Sequence, residues 1–147
     1  MRAWSLLVPL LSALAIIACV PASPQPGEFQ SFAGACDKPN EGQLIAVEGF
    51  LRLPDSFEGL DTVILRLYPD ASFTGEPIGA TIYFGSGPNQ AELITGSYRD
   101  PDLKVHLSNG QLVPFGTKVR VSGRMYYPVV AQDFTCGLQN LYLEAAK

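Results

Sequence analysis

The chain has 147 residues, with ten Lys and Arg against fourteen Asp and Glu, one histidine and three cysteines, for a formal charge of −4. That length supports one sizeable core and not two. The acidic balance argues against nucleic acid as a partner, and a single histidine with scattered cysteines offers no zinc-ligand spacing.

At the amino terminus, Met1-Arg2 supplies one positive charge and Leu6 to Ile17 is apolar apart from Ser12. A short cationic region, an apolar stretch and small residues before a cleavage point make a secretory signal. The apolar run is too short for a comfortable membrane span. It ends in Ile16-Ile17-Ala18-Cys19, which resembles the lipobox of bacterial lipoproteins, whose cysteine is diacylated and becomes residue one. The resemblance implies a signal peptide over 1–18, a lipid on Cys19 and an anchor in the cell membrane or outer membrane. Val20 stands where an aspartate is associated with inner-membrane retention, which points outward. An ordinary secretory signal with a chance cysteine is the alternative.

Residues 19–35 contain prolines and glycines with little apolar content, as expected of a partly extended tether. Phe29 and Phe32 are its candidates for docking on the domain. Residues 36–147 then form the domain. With Cys19 acylated, Cys36 and Cys136 have one internal connectivity, and an exported compartment permits the bond. Closing a loop of about 100 residues stabilises by ~4 kcal/mol in the chain-entropy model.

The domain reads as β almost throughout. Leu44 to Leu53 sets Ile45, Val47, Gly49, Leu51 and Leu53 on one face, with Glu48, Phe50 and Arg52 on the other. Thr62 to Tyr68 turns Val63, Leu65 and Leu67 inward, and Ile78 to Phe84 follows after turn residues at Pro69-Asp70 and Gly75-Glu76-Pro77. Asn89 is placed to cap a short helix over Gln90 to Thr95, stopped by Gly96. Leu103 to Tyr127 reads as a strand, a Ser108-Asn109-Gly110 turn, a short run, a Pro114-Phe115-Gly116 corner and a long strand. Gly123, inside that last pattern, marks a bulge or a barrel bend. Asn140 to Glu144 is the final strand.

Five to seven short strands with at most one short helix suggest a small Greek-key barrel. Leu44-to-Leu53, Thr62-to-Asp70, the Gly116-to-Arg124 phrase with Val119 and Val121, and Asn140-to-Glu144 resemble strands of an OB-fold. The resemblance implies a mainly β, OB-like barrel; the long segment 85–113 departs from the minimal pattern. A β-sandwich of immunoglobulin or transthyretin type is the alternative.

Catalytic signals are sparse. His106 shares an outward face with Lys104 and reads as a solvated strand histidine, while Asp100-Pro-Asp102 reads as turn chemistry rather than a calcium loop. No cofactor is expected. Two surface patterns stand out. Between Leu103 and Gln132 there is no acidic residue, while Lys104, Lys118, Arg120 and Arg124 all lie there. Either these cations pair across strands with acids such as Glu48 and Glu144, or they form a basic ridge for an anion. In OB-like barrels the second and third strands carry the ligand face, which makes Arg66, Tyr68 and Tyr83 a candidate platform beside Lys104, His106, Lys118 and Arg120. The expectation is a lipid-anchored, non-catalytic binding or scaffold module, its partner an envelope protein, a glycan or an anionic headgroup. A small envelope hydrolase or accessory subunit of an envelope enzyme is the alternative.

Overall fold

The computed structural model describes residues 22–56, 59 and 61–147; the signal peptide and the lipidated Cys19 lie outside the described residues. Among the described residues nine strands run in chain order: β1 (Glu28–Phe29), β2 (Leu44–Arg52), β3 (Thr62–Tyr68), β4 (Ile78–Phe84), β5 (Gln90–Ala91), β6 (Lys104–His106), β7 (Leu112–Pro114), β8 (Lys118–Tyr126) and β9 (Gly137–Ala145). Two 3₁₀ turns, Lys38–Asn40 and Asp100–Asp102, are the helical elements among these residues.

Five strands close on themselves in the order β2, β3, β4, β9, β8 and back to β2. Each contact is antiparallel except β4 with β9, which is parallel. That closure gives the small OB-like Greek-key barrel and excludes the sandwich. The alternating apolar residues fill its interior: Leu65, Leu67, Val121, Leu138 and Leu143 have no measurable exposure. Burying each such leucine contributes roughly 1.5–3 kcal/mol.

Gly123 marks an irregularity, with the extra residue on the opposing strand. Ser122 faces Tyr142 but Arg124 faces Gln139, so β9 carries one residue more, and its Asn140 takes a positive φ of 55°. Toward β2 the register runs unbroken through Ile45↔Gly123 and Leu44↔Arg124. Arg124 therefore stays on the outward face of Lys118 and Arg120. Any Cβ at Gly123 would sit 2.9 Å from the Gln139 carbonyl oxygen, so the glycine permits β9 to approach closely at its bulge.

The helix expected over Gln90 to Thr95 does not form. Gln90 and Ala91 make β5 instead, and Asn89 adopts φ 59° rather than the extended backbone of a helix cap. Its N–H donates to the His106 carbonyl at 3.0 Å, and its Oδ1 accepts the Leu143 N–H at 2.7 Å. The Glu92 N–H donates to the Lys104 carbonyl. With these groups satisfied by neighbouring strands, the segment has no need of helical hydrogen bonds. β5, β6 and β7 form a small meander in place of a helix between the third and fourth barrel strands, and Ala91, Leu103, Val105, Leu107 and Val113 join the core from it.

The tether packs earlier than its composition suggests. β1 runs parallel to β2, with Glu28 opposite Ile45 and Phe29 opposite Ala46. Phe32 packs against the core, and Ala35 is fully buried. Cys36 and Cys136 are joined, their Cα atoms 5.5 Å apart. The strap is thus stitched to the start of β9.

Candidate functional site

The outward faces of β3 and β4 bear the cross-strand pairs Thr62↔Tyr83, Ile64↔Thr81 and Arg66↔Gly79, and Gly79 is in turn opposite Gly137 on β9. Two adjacent glycines leave a trough in the barrel wall. Aromatic rings occupy it. A Cβ on Gly79 would lie 2.7 Å from the Phe134 ring, and one on Gly137 would lie 2.5 Å from the Tyr126 ring. Phe134 comes from the loop joining β8 to β9, and it is 3% exposed.

Arg66 fastens that loop. Its guanidinium lies 4.9 Å from the centre of the Phe134 ring, its Nε donates to Asp133 Oδ2 at 2.9 Å, and Nη1 donates to the Ile64 carbonyl. The side chain is 10% exposed. The Arg66 hydrogen bond holds the Asp133 carboxyl below the usual carboxylate range. Arg66 is therefore a clamp on the β8–β9 loop.

Beside the clamp lies an open groove of about 510 Å³, lined by Pro54 and Ser56 after β2, by Thr62, Ile64 and Arg66 on β3, and by Gln132. It sits between the two loops that flank the ligand face of an OB-like barrel. Tyr83, 60% exposed, is the β4 partner of Thr62. The lining offers hydroxyl, amide and aliphatic groups, suited to hydrogen bonding and apolar contact.

The basic residues resolve differently. Arg120 Nη2 is 2.8 Å from Glu48 Oε1, and Lys118 Nζ is 3.4 Å from Oε2 of the same carboxylate. The Arg120 hydrogen bond and the Lys147 backbone N–H hold the Glu48 carboxyl below its ordinary value. Arg120 also lies 5.0 Å over the Phe29 ring. Glu48, rather than Glu144, is the acid that both cations share, which leaves the cluster one positive charge in excess. Arg124 is exposed and donates to the Gly42 carbonyl. His106, expected as a solvated strand histidine, is instead only 12% exposed, packed into the meander with its buried Nε2 3.4 Å from Glu92 Oε1. Lys104 is exposed, and among the described residues no carboxylate pairs with it.

Tyr68 is half-buried, edge-on to Phe73 at 5.6 Å, while Phe73 stacks on Phe115 at 5.2 Å. Phe73 holds φ 54°, a left-handed conformation unusual for an aromatic residue. Arg52 lies over the same ring and pairs with Asp100 at 2.7 Å. Asp100 also accepts the Leu53 N–H, so its carboxylate is spent on fixing the 3₁₀ turn to the end of β2.

The seven surface residues singled out in the sequence thus fall into separate settings. Arg66 lines the groove, Tyr83 is the strand neighbour of its Thr62, Tyr68 joins an aromatic cluster, Lys118 and Arg120 share Glu48, and Lys104 and His106 belong to the meander. Ser56, Thr62, Ile64, Gln132 and the covering Phe134 went unmarked. Gly79 was the available signal, since a glycine inside a strand marks a close approach. Among the described residues, no group of three or more His, Cys, Asp or Glu side chains converges to hold a metal ion. No family model matches the chain, and no significant similarity to a curated protein or a solved structure is found.

Proposed function

We propose that this chain is a lipid-anchored, non-catalytic binding module of the cell envelope, and that the groove beside Arg66 takes its ligand. The groove carries the reading: an open channel between two loops on β3, with an arginine clamp fixing one wall. Support for a non-catalytic role comes from where the reactive side chains are committed, away from the groove. The sole imidazole, His106, faces Glu92 on the meander, and Cys36 and Cys136 are bonded to each other. The lining groups suit an extended polar and aliphatic partner, such as a peptide segment or a glycan. The anchor rests on the Ile16-to-Cys19 phrase, which places the module at a membrane surface.

Two measurements test this reading. A photoreactive residue replacing Thr62 or Gln132 gives a discrete crosslinked product in the native envelope, whereas one replacing Leu112 on β7 gives none. Equal products from all three positions would refute the groove. Mass spectrometry of the native amino terminus shows a diacylated cysteine, and Cys19→Ser releases soluble or precursor protein. An unmodified terminus would remove the anchor.

A further inference from the structure

We propose that the tip of the β8–β9 loop, Val129-Val130, dips into the bilayer that holds the lipid anchor and so seats the barrel on the membrane. This inference rests on the acylation of Cys19 proposed above. Val129 is fully exposed and Val130 is 72% exposed, more than any other large apolar side chain among the described residues. Two adjacent valines held in water at a loop tip gain by entering an apolar phase.

The course of the chain selects the membrane as that phase. Ala22, Ser23 and Gln25 share a small pocket with Leu44, Arg124 and Asn140, so the tether meets the barrel at the end of β8. Cys19 precedes Ala22 by three residues, which span at most about 11 Å when fully extended. From Arg124 the chain reaches Val129 in five residues, at most about 18 Å. Anchor and valine tip therefore both lie within a short reach of Arg124, and the anchor is too short to hold that part of the barrel far from the headgroups.

Charge in this region is modest. Arg124 is exposed and bonded to a carbonyl, Lys38 pairs with Glu41, and Asp133 pairs with Arg66. Lys118 and Arg120, which share the Glu48 carboxylate, lie at the opposite end of β8. The contact is thus apolar in character, with weak dependence on salt and on lipid charge. Two valines are insufficient to bind a membrane alone; the acyl chains supply the attachment and the tip sets the orientation.

The chain's single tryptophan, Trp4, precedes Cys19, so Val130→Trp places one fluorescent reporter in the mature lipoprotein. The purified lipidated protein is reconstituted into phosphatidylethanolamine vesicles with and without phosphatidylglycerol, and acylation is verified by mass. The reporter is expected to emit at shorter wavelength than in detergent-free buffer and to be quenched about twofold by brominated acyl chains, at low and high salt alike. Leu112→Trp serves as the control. It adjoins Val113, which lines a pocket with Val119 at the far end of β8, and its emission is expected to remain that of a solvated indole. In a Val129→Asp background the blue shift at position 130 is expected to disappear while the acyl mass persists. An acylated protein whose reporter at 130 matches that at 112 overturns the proposal and leaves the tip to a protein partner. Absence of acyl mass removes the anchor reading, and this proposal falls with it.

Discussion

In the barrel wall, β2 and β8 pair over seven consecutive residues and β3 and β4 over six; in the inserted meander, β5 meets β6 at one pair and β6 meets β7 at three. The wall has no open edge, because every strand in it has two neighbours. The meander is held by other means: buried Leu103, Val105 and Leu107, and the Asn89 side chain reaching β9. A closed sheet is specified by alternation along each strand. The insert is specified by a few apolar anchors and by polar atoms that find partners elsewhere in the chain.

The largest test of that contrast breaks the stitch between strap and wall. Replacing Cys36 and Cys136 with serine removes a crosslink across 100 residues, at an expected cost of ~4 kcal/mol in the chain-entropy model. Chemical denaturation of the oxidised and double-serine proteins measures it. A loss below about 1 kcal/mol would show that strap packing alone fixes this end.

Next come paired core truncations. Leu65→Ala in the wall leaves a cavity inside a closed barrel, and about 3 kcal/mol is expected. Val113→Ala in β7 removes two methyl groups at a less enclosed site, and about 1.5 kcal/mol is expected. Native-state hydrogen exchange sharpens the comparison: amides of β2, β3, β8 and β9 exchange at the global rate, while those of β5 to β7 open sooner. Equal protection in both regions would make the insert part of one cooperative unit.

Legibility in the sequence follows the same division. Thr62–Tyr68 and Ile78–Phe84 were readable to the residue because a half-buried strand imposes a period of two. β9 was read short: Gly137 has no side chain to signal a face, and Asn140 breaks the alternation with its bulge. The helix over Gln90 to Thr95 failed because Asn89 suits both a helix cap and a left-handed turn, and only its distant partners at His106 and Leu143 decide between them. The groove was half visible. Arg66 and Tyr83 lay on a recognisable face, but Gln132 and Phe134 come from a loop with no periodic pattern, and its fold-back is set by Asp133 meeting an arginine 67 residues away.

The smallest expected effect concerns the charges on the wall. Glu48 holds Lys118 and Arg120, and its side chain is 13% exposed. Glu48→Gln keeps the shape and removes the charge, leaving two uncompensated cations two residues apart on the same face of β8; about 1 kcal/mol is expected, between the values of exposed and buried pairs. The pH dependence gives an independent reading. Both Glu48 and Asp133 have carboxyls held below their ordinary values in the folded chain. Their stabilisation is therefore complete above the unfolded values of about 4.3 and 3.9, and is lost as pH falls through the lower folded values. Thermal melts between neutral and acid pH are expected to show a decline that begins below about pH 4.5. In Glu48→Gln the decline persists in part, because the Asp133 clamp on Arg66 still titrates. Should the variant and the parent lose stability in parallel over that whole range, Glu48 contributes nothing to the acid response, and the wall would owe its strength to alternation and closure alone.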